Sequence, residues 1–68
     1  MMYVYIILGH RSFTTGKIAI VAVPDAYAFI SDYADGAKKQ ACKELGLNEE
    51  EVSILDYKFL GSGVSVIN

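Results

Sequence analysis

The chain has 68 residues, of which 53% are hydrophobic, with a formal net charge of −2, one Cys and one His. A chain of this length forms one domain, residues 1–68, and buries only about 60% of the surface that its unfolded chain exposes, so association would stabilise it. The single Cys excludes an intrachain disulfide, and one Cys with one His leaves a tetrahedral zinc site short of ligands. We therefore expect no metal, no cofactor, and a homodimer.

The first predicted element is a strand from Tyr3 to Leu8, where β-branched and aromatic residues run up to Gly9. This apolar run is too short to span a membrane, and it lacks the basic start and the small-residue cleavage site of a signal peptide. The expectation is a cytoplasmic protein that does not bind membranes.

The segment that follows, GHRSFTTGK, contains the only His and the only Arg and leads into a second predicted strand, Lys17 to Val23. Its Gly-Lys ending is similar to a nucleotide-binding phosphate loop. The spacing between Gly9 and Gly16 is too long, however, and Ile18 stands where the magnesium-binding hydroxyl belongs. A strand rather than a helix follows, so no helix N-terminus would face a phosphate. The segment is predicted to be a long hairpin loop.

Three roles are open for this loop. His10, Arg11 and Lys17 could donate to phosphates while Phe13 stacks on a base. Arg11 and Phe13 could instead anchor the loop on a protein, or the loop could be a solvated tip. Catalysis by His10 needs an orienting carboxylate, and residues 1–24 contain no acid, although a distant one could approach in the fold. We predict no catalytic residues and no enzyme.

A helix is predicted from Asp25 to Leu45, with Pro24 and Asp25 at its start and Gly46 as its left-handed C-cap. Asp35-Gly36 could kink or split it, because glycine lowers helix stability. Cys42, close to three lysines, is expected to be a partly buried, inert thiol, with a modestly lowered pKa as the alternative. The apolar stripe expected to face the sheet comprises Ala26, Ile30, Tyr33, Ala34, Ala37, Ala41 and Leu45.

Two further strands are predicted after the helix, in VSILDYKFL (52–60) and in VSVIN (64–68). In the first, alternation places Leu55 with Tyr57 and Phe59 on one side, and Ile54 with Asp56 and Lys58 on the other. The predicted fold is α+β with ββαββ order: a four-stranded antiparallel sheet, order 2-1-3-4, with one helix packed on one face.

One helix covers only one face of such a sheet, yet both faces of the first strand are apolar. Val4, Ile6 and Leu8 form one set, and Tyr3, Tyr5 and Ile7 form the other. Tyrosine is enriched at interfaces, so Tyr3 and Tyr5 are predicted to lie on an exposed face that binds a partner. The alternative places the tyrosines under the helix. Either arrangement leaves one apolar face to be covered.

Two resemblances bear on function. The segment KELGLNEEEVSILDYKFLGSG (43–63) resembles the N-terminal Jag domain of bacterial RNA-associated proteins over a third of the chain; the N-terminal hairpin has no counterpart there, and the basic residues after that domain's turn are missing. In size, acidity and its expected single helix on a small sheet, the chain also resembles phage-encoded inhibitors of host defence, including anti-CRISPR proteins.

The sequence therefore predicts a small, non-enzymatic protein-binding module. Its most concrete form is a phage or mobile-element inhibitor of a host defence nuclease complex, acting by steric block or by mimicking nucleic-acid charge with Asp32, Asp35 and 49–51. The alternative is a nucleic-acid-binding module that uses the basic loop 9–17. The partner-binding residues are predicted to be His10, Arg11, Phe13, Lys17, Tyr3 and Tyr5.

Overall fold

The computed structural model describes residues 1–25, 27 and 29–61. Within this range the chain has an α+β fold with a three-stranded antiparallel sheet of order β2-β1-β3, which agrees with the first three positions of the expected order. The expected fourth strand, 64–68, lies outside the described residues, so the ββαββ order is not confirmed. The elements are β1 (Met2–Gly9), β2 (Lys17–Val23), α1 (Ile30–Leu45), a 3₁₀ turn (Glu49–Glu51) and β3 (Ser53–Gly61).

The core lies between α1 and one face of the sheet. Aliphatic residues of β1 and β2 point toward the helix, and small residues of α1 allow the helix to approach the sheet closely. Val4, Ile6 and Leu8 have no exposed surface, so the aliphatic set of β1 faces α1 and the tyrosines do not. The buried cluster comprises Val4, Ile6, Leu8, Val21, Val23, Ala37, Ala41, Cys42 and Val52.

The helix begins at Ile30, and the predicted start at Asp25 is wrong. The Asp25 carboxylate lies 2.5 Å from the α-amino nitrogen of Met1 and therefore does not cap the helix. Phe29, the N-cap residue, is extended at φ −129° and ψ 156°, which ends any helix running in from the N-terminal side. Between them, Tyr27 contacts the ring of Tyr33 at a centroid distance of 5.5 Å.

Helix α1 runs without interruption through Asp35-Gly36. A Cβ at Gly36 would lie 2.9 Å from Cγ1 of Val23 and 3.0 Å from the Tyr27 ring, so the glycine permits close contact between α1 and β2. Two described residues of the expected stripe are exposed, Ile30 at 63% and Leu45 at 37%, and Ala26 lies outside the described residues. The helix is about 24 Å long, and both exposed residues lie at its ends.

The C-terminal end of α1 agrees with the sequence. Gly46 adopts the left-handed conformation at φ 68°, and the Leu47 amide donates to the Cys42 carbonyl at 2.9 Å. Leu47 then packs against the core. In the following turn the Asn48 side chain accepts from the Glu50 amide at 3.1 Å, which starts the 3₁₀ turn.

The predicted strict alternation of side chains along β3 is wrong. The pairing with β1 shifts register between Ile7 and Leu8 and again between Tyr3 and Val4. Ile54 pairs with Leu8, and Asp56 pairs with Ile7, so Leu55 is an extra residue in a β-bulge. As a result Ile54, Tyr57 and Phe59 share the helix-facing side, while Leu55 joins Asp56 and Lys58 on the other side.

No helix in the described part of the chain is long and apolar enough to cross a membrane.

Candidate functional site

The hairpin tip, residues 10–16, is ordered by His10. The His10 carbonyl accepts the Phe13 amide at 2.9 Å and closes a turn. Its ring nitrogen Nδ1 accepts the Ser12 amide at 3.0 Å and lies 2.6 Å from Ser12 Oγ. Because Nδ1 accepts from a backbone amide, it carries no proton, and the ring proton belongs on Nε2.

That second nitrogen faces an acid that the sequence analysis did not identify. His10 Nε2 lies 3.4 Å from Oε2 of Glu51, 41 residues away in the chain. Gly9 pairs with Ser53 at the start of β3, and this pairing brings the 3₁₀ turn beside the hairpin tip. Only the strand order creates this contact, so no local pattern signals it.

Ser12, His10 and Glu51 are the residue types found in a catalytic triad. Here their hydrogen bonds hold the loop in place. The amide of Ser12 donates to Nδ1, and Oγ of the same residue lies 2.6 Å from that nitrogen. A general base acts on a substrate that is bound beside it. The cleft in the described residues, about 380 Å³, is instead lined by Tyr27, Asp35, Gly36, Lys38, Lys39, Glu49 and Glu50.

The remaining residues of the hairpin tip divide into packed and free side chains. Phe13 is half-buried; its ring centroid lies 5.2 Å from that of His10, and Lys17 Nζ lies 5.5 Å from it. Arg11 is exposed and forms no ion pair with any described residue. The structure therefore brings His10, Phe13 and Lys17 together and leaves Arg11 as the free cation of the tip.

Tyr3 and Tyr5 lie on a different surface, the sheet face turned away from α1. We call this surface the open face and define it by Tyr3, Tyr5, Ile7, Ile18, Ile20, Ala22, Leu55, Asp56 and Lys58, which the strand register places on one side. Both tyrosines are half-buried. Ile18, Ile20 and Leu55 are 59%, 57% and 59% exposed, and no described helix lies over them.

Three of these apolar residues were missed by the sequence analysis. The alternation of Ile18 and Ile20 in β2 with Ala19 and Val21 could have identified the first two. Leu55 could not be found this way, because the bulge moves it to the open face.

Leu55 also explains the two glycines that bracket the hairpin tip. A Cβ at Gly9 would lie 2.9 Å from Cδ2 of Leu55. A Cβ at Gly16 would lie 2.5 Å from Cγ2 of Ile7 and 3.0 Å from Cδ1 of Leu55. The glycines make room for apolar side chains of the open face. This packing explains their positions without a phosphate-binding role.

Cys42 lies on the covered side and is 2% exposed. Burial raises the pKa of its thiol; Lys38 opposes this shift and Glu49 adds to it. The alternative of a lowered pKa is therefore wrong, since desolvation outweighs the nearby lysine. A buried, protonated thiol is a poor nucleophile.

Comparison with known proteins identifies no relative. No family model matches the chain, so the Jag-like segment 43–63 stays an analogy, and no curated protein and no solved structure matches it either.

Proposed function

We propose that this chain is a non-enzymatic protein-binding module with two contact surfaces, the open face and the hairpin tip. The observation that carries the proposal is the exposure of Ile18, Ile20 and Leu55 next to two tyrosines on a single sheet face. Contiguous exposed apolar patches are uncommon on monomers and mark interaction sites. Tyrosine adds large contact area with a polar end that tolerates water when the partner is absent.

The hairpin tip supports protein docking better than nucleic-acid binding. Phe13, the one ring available for stacking on a base, packs against His10 and Lys17. Glu51 places an acid beside the tip, which reduces its attraction for phosphates. A single free guanidinium, that of Arg11, is a suitable anchor for a protein carboxylate or carbonyl.

An inhibitor of a host defence nuclease complex is the most specific form of this proposal, and steric block is the mechanism the surface favours. Charge mimicry of nucleic acid needs a continuous acidic surface. Here Asp35, Glu49 and Glu50 line the same cleft as Lys38 and Lys39, so the signs are mixed. Inhibition by steric block would depend on the hairpin tip or the open face and would be largely insensitive to charge changes in this cleft.

The experiment is affinity capture from the native host with the wild-type chain, Arg11→Ala and the matched control Lys39→Ala, which removes an exposed cation of α1. A partner protein that the wild type and Lys39→Ala retain and Arg11→Ala loses would support docking by the tip. Direct titration with DNA and RNA across salt tests the alternative. Tight binding that falls steeply with salt and disappears in Arg11→Ala would overturn the proposal in favour of nucleic-acid binding.

A further inference from the structure

We propose that the open face binds a second copy of this chain in an isologous dimer whose two-fold axis crosses the strands between two specific rows of side chains. The inference rests on the proposed function, because it names the partner of the open face. Strand register defines the rows. Ile20, Tyr5 and Lys58 lie side by side across β2, β1 and β3, and the next row contains Ile18, Ile7 and Asp56.

An axis in the plane of the interface, perpendicular to the strands and midway between these rows, places each row opposite the other row of the second copy. Ile20 then meets Ile18, Tyr5 meets Ile7, and Lys58 meets Asp56, each pair occurring twice. A two-fold interface must be complementary to itself. This one axis satisfies both apolar pairs and the charged pair together.

The other in-plane axis, along the strands, gives the opposite result. It would place the isoleucines of β2 over the charged residues of β3, so Ile18 and Ile20 would face Asp56 and Lys58. Burying those charges against aliphatic side chains is unfavourable. The row pattern therefore selects the axis, and a foreign partner would have no need of equal and opposite charges at Asp56 and Lys58.

The two charged side chains are available for this contact. Asp56 Oδ1 accepts the Tyr57 amide at 2.9 Å, which holds the carboxylate in place and leaves Oδ2 free. Lys58 is exposed and has no ion-pair partner within the described ranges. Such pairs at the edge of an apolar interface orient the two copies more than they tighten binding.

The size of the open face sets the expected affinity. Three strands of about eight residues, at about 4.8 Å between strands and 3.4 Å per residue, cover a projected area of about 400 Å². A standard interface buries about 800 Å² per partner, so the sheet face alone corresponds to a weak, reversible dimer. In aligned packing, two sheets lie about 10 Å apart with their strands about 30° apart.

Charge reversal at Lys58 and Asp56 tests the arrangement. Lys58→Glu gives every copy two carboxylates on β3, and Asp56→Lys gives every copy two ammonium groups, so each variant repels itself. We expect sedimentation equilibrium to show a dimer for the wild type and for the control Lys39→Glu. The dimer dissociation constant should rise by about tenfold or more in each reversed variant.

Mixing the two reversed variants tests whether positions 56 and 58 of one copy face these positions of the other. In a mixed dimer each new carboxylate at position 58 faces a new ammonium group at position 56, and Asp56 of the first variant faces Lys58 of the second. Both pairs are again complementary, so the mixture should dimerise. A mixture that stays monomeric while the wild type dimerises would overturn the proposed axis.

Two further outcomes complete the test. Circular dichroism of each variant shows whether it folds. If Asp56→Lys does not fold, Asp56→Asn keeps an acceptor for the Tyr57 amide and removes the charge; a dissociation constant equal to that of the wild type would overturn the ion pair. A wild type that is monomeric at hundreds of micromolar would overturn the dimer. Partner capture that depends on Arg11 would still stand in that case, so failure of the dimer and failure of the proposed function are distinguishable.

Discussion

Alternate residues of β1 lie in two different environments. Val4, Ile6 and Leu8 have no exposed surface, whereas Tyr3, Tyr5 and Ile7 keep part of theirs. Both sets are apolar, so hydrophobicity alone does not decide which set is buried. The helix decides, because its small residues let it cover only the aliphatic side.

The two faces therefore have different roles, although both are lined by apolar residues. The covered face supplies the stability of the fold through complete removal of aliphatic surface from water. The open face leaves apolar surface exposed, which contributes little to the fold and is available for a partner. Substitutions on the two faces should therefore separate stability from association.

The largest expected effect is a core truncation. Ile6→Ala should lower the free energy of unfolding by about 3–4 kcal/mol, because it leaves a cavity under α1. Ile20→Thr, on the open face, should cost about 0.5 kcal/mol, since the residue is 57% exposed and stays β-branched. Urea denaturation of monomeric protein measures both, and Ile6→Val provides a milder core change of about 1 kcal/mol if Ile6→Ala does not fold. Equal losses on the two faces would contradict the comparison.

The next effect concerns the glycine under the open face. Gly16→Ala places a Cβ 2.5 Å from Ile7 Cγ2 and should cost about 1–3 kcal/mol through overpacking. Repeating the change in an Ile7→Ala background should recover part of that loss, as a double-mutant cycle measures.

Gly46→Ala is the matched control for that substitution. It meets no atom within 4 Å, and its φ of 68° costs about 1 kcal/mol by conformation alone. Ile7→Ala should leave this loss unchanged. A Gly16→Ala loss that Ile7→Ala also leaves unchanged would show that contact is not the cause.

A smaller effect is the pH dependence that Cys42 contributes on the covered side. Burial raises the pKa of this thiol in the folded state, so the folded chain holds the proton to higher pH than the unfolded chain does. The free energy of unfolding should then fall as the pH rises above the unfolded thiol's pKa, by at most about 1.4 kcal/mol per pH unit. Urea denaturation over a pH series, compared with Cys42→Ala, isolates this slope. Identical slopes in both proteins would contradict it.

The smallest effect is expected at the hairpin tip, residues 10–16. His10→Ala should lower the free energy of unfolding by less than about 1 kcal/mol, because its hydrogen-bonding partners, Ser12 and Glu51, are exposed. Hydrogen exchange should show a faster Ser12 amide, which loses its acceptor. The Phe13 amide, bonded to the backbone carbonyl of residue 10, should change less and serves as an internal control. Glu51→Gln should leave the Ser12 amide unchanged; equal acceleration in both variants would overturn this account of the loop.

Much of the fold could be predicted from local patterns. The bounds of β2, the left-handed Gly46 cap and the return of Leu47 to the core all follow from residue type and spacing. The helix start could not, because Asp25 pairs with Met1, 24 residues away, and the backbone of Phe29 is extended. The bulge at Leu55 could not be predicted either, because it depends on how β3 pairs with β1.

The candidate site divides in the same way. The tyrosines of β1 and the cations of the hairpin tip could be identified from the sequence, because alternation and loop composition mark them. Glu51 beside His10, and Leu55 beside Gly9 and Gly16, depend on the position of β3. These contacts join residues about 40 positions apart in the chain, and they order the predicted hairpin loop next to an apolar surface.

The sequence by itself determined that β1 has two apolar faces and that one helix would cover only one of them. Both strand alternation and chain length can be read directly from the residues. The tertiary structure alone decided which face was covered and which residues completed the open one. The reason is physical: Gly36, Ala37 and Ala41 allow α1 to pack closely against aliphatic side chains, and the bulge in β3 turns Leu55 to the opposite side.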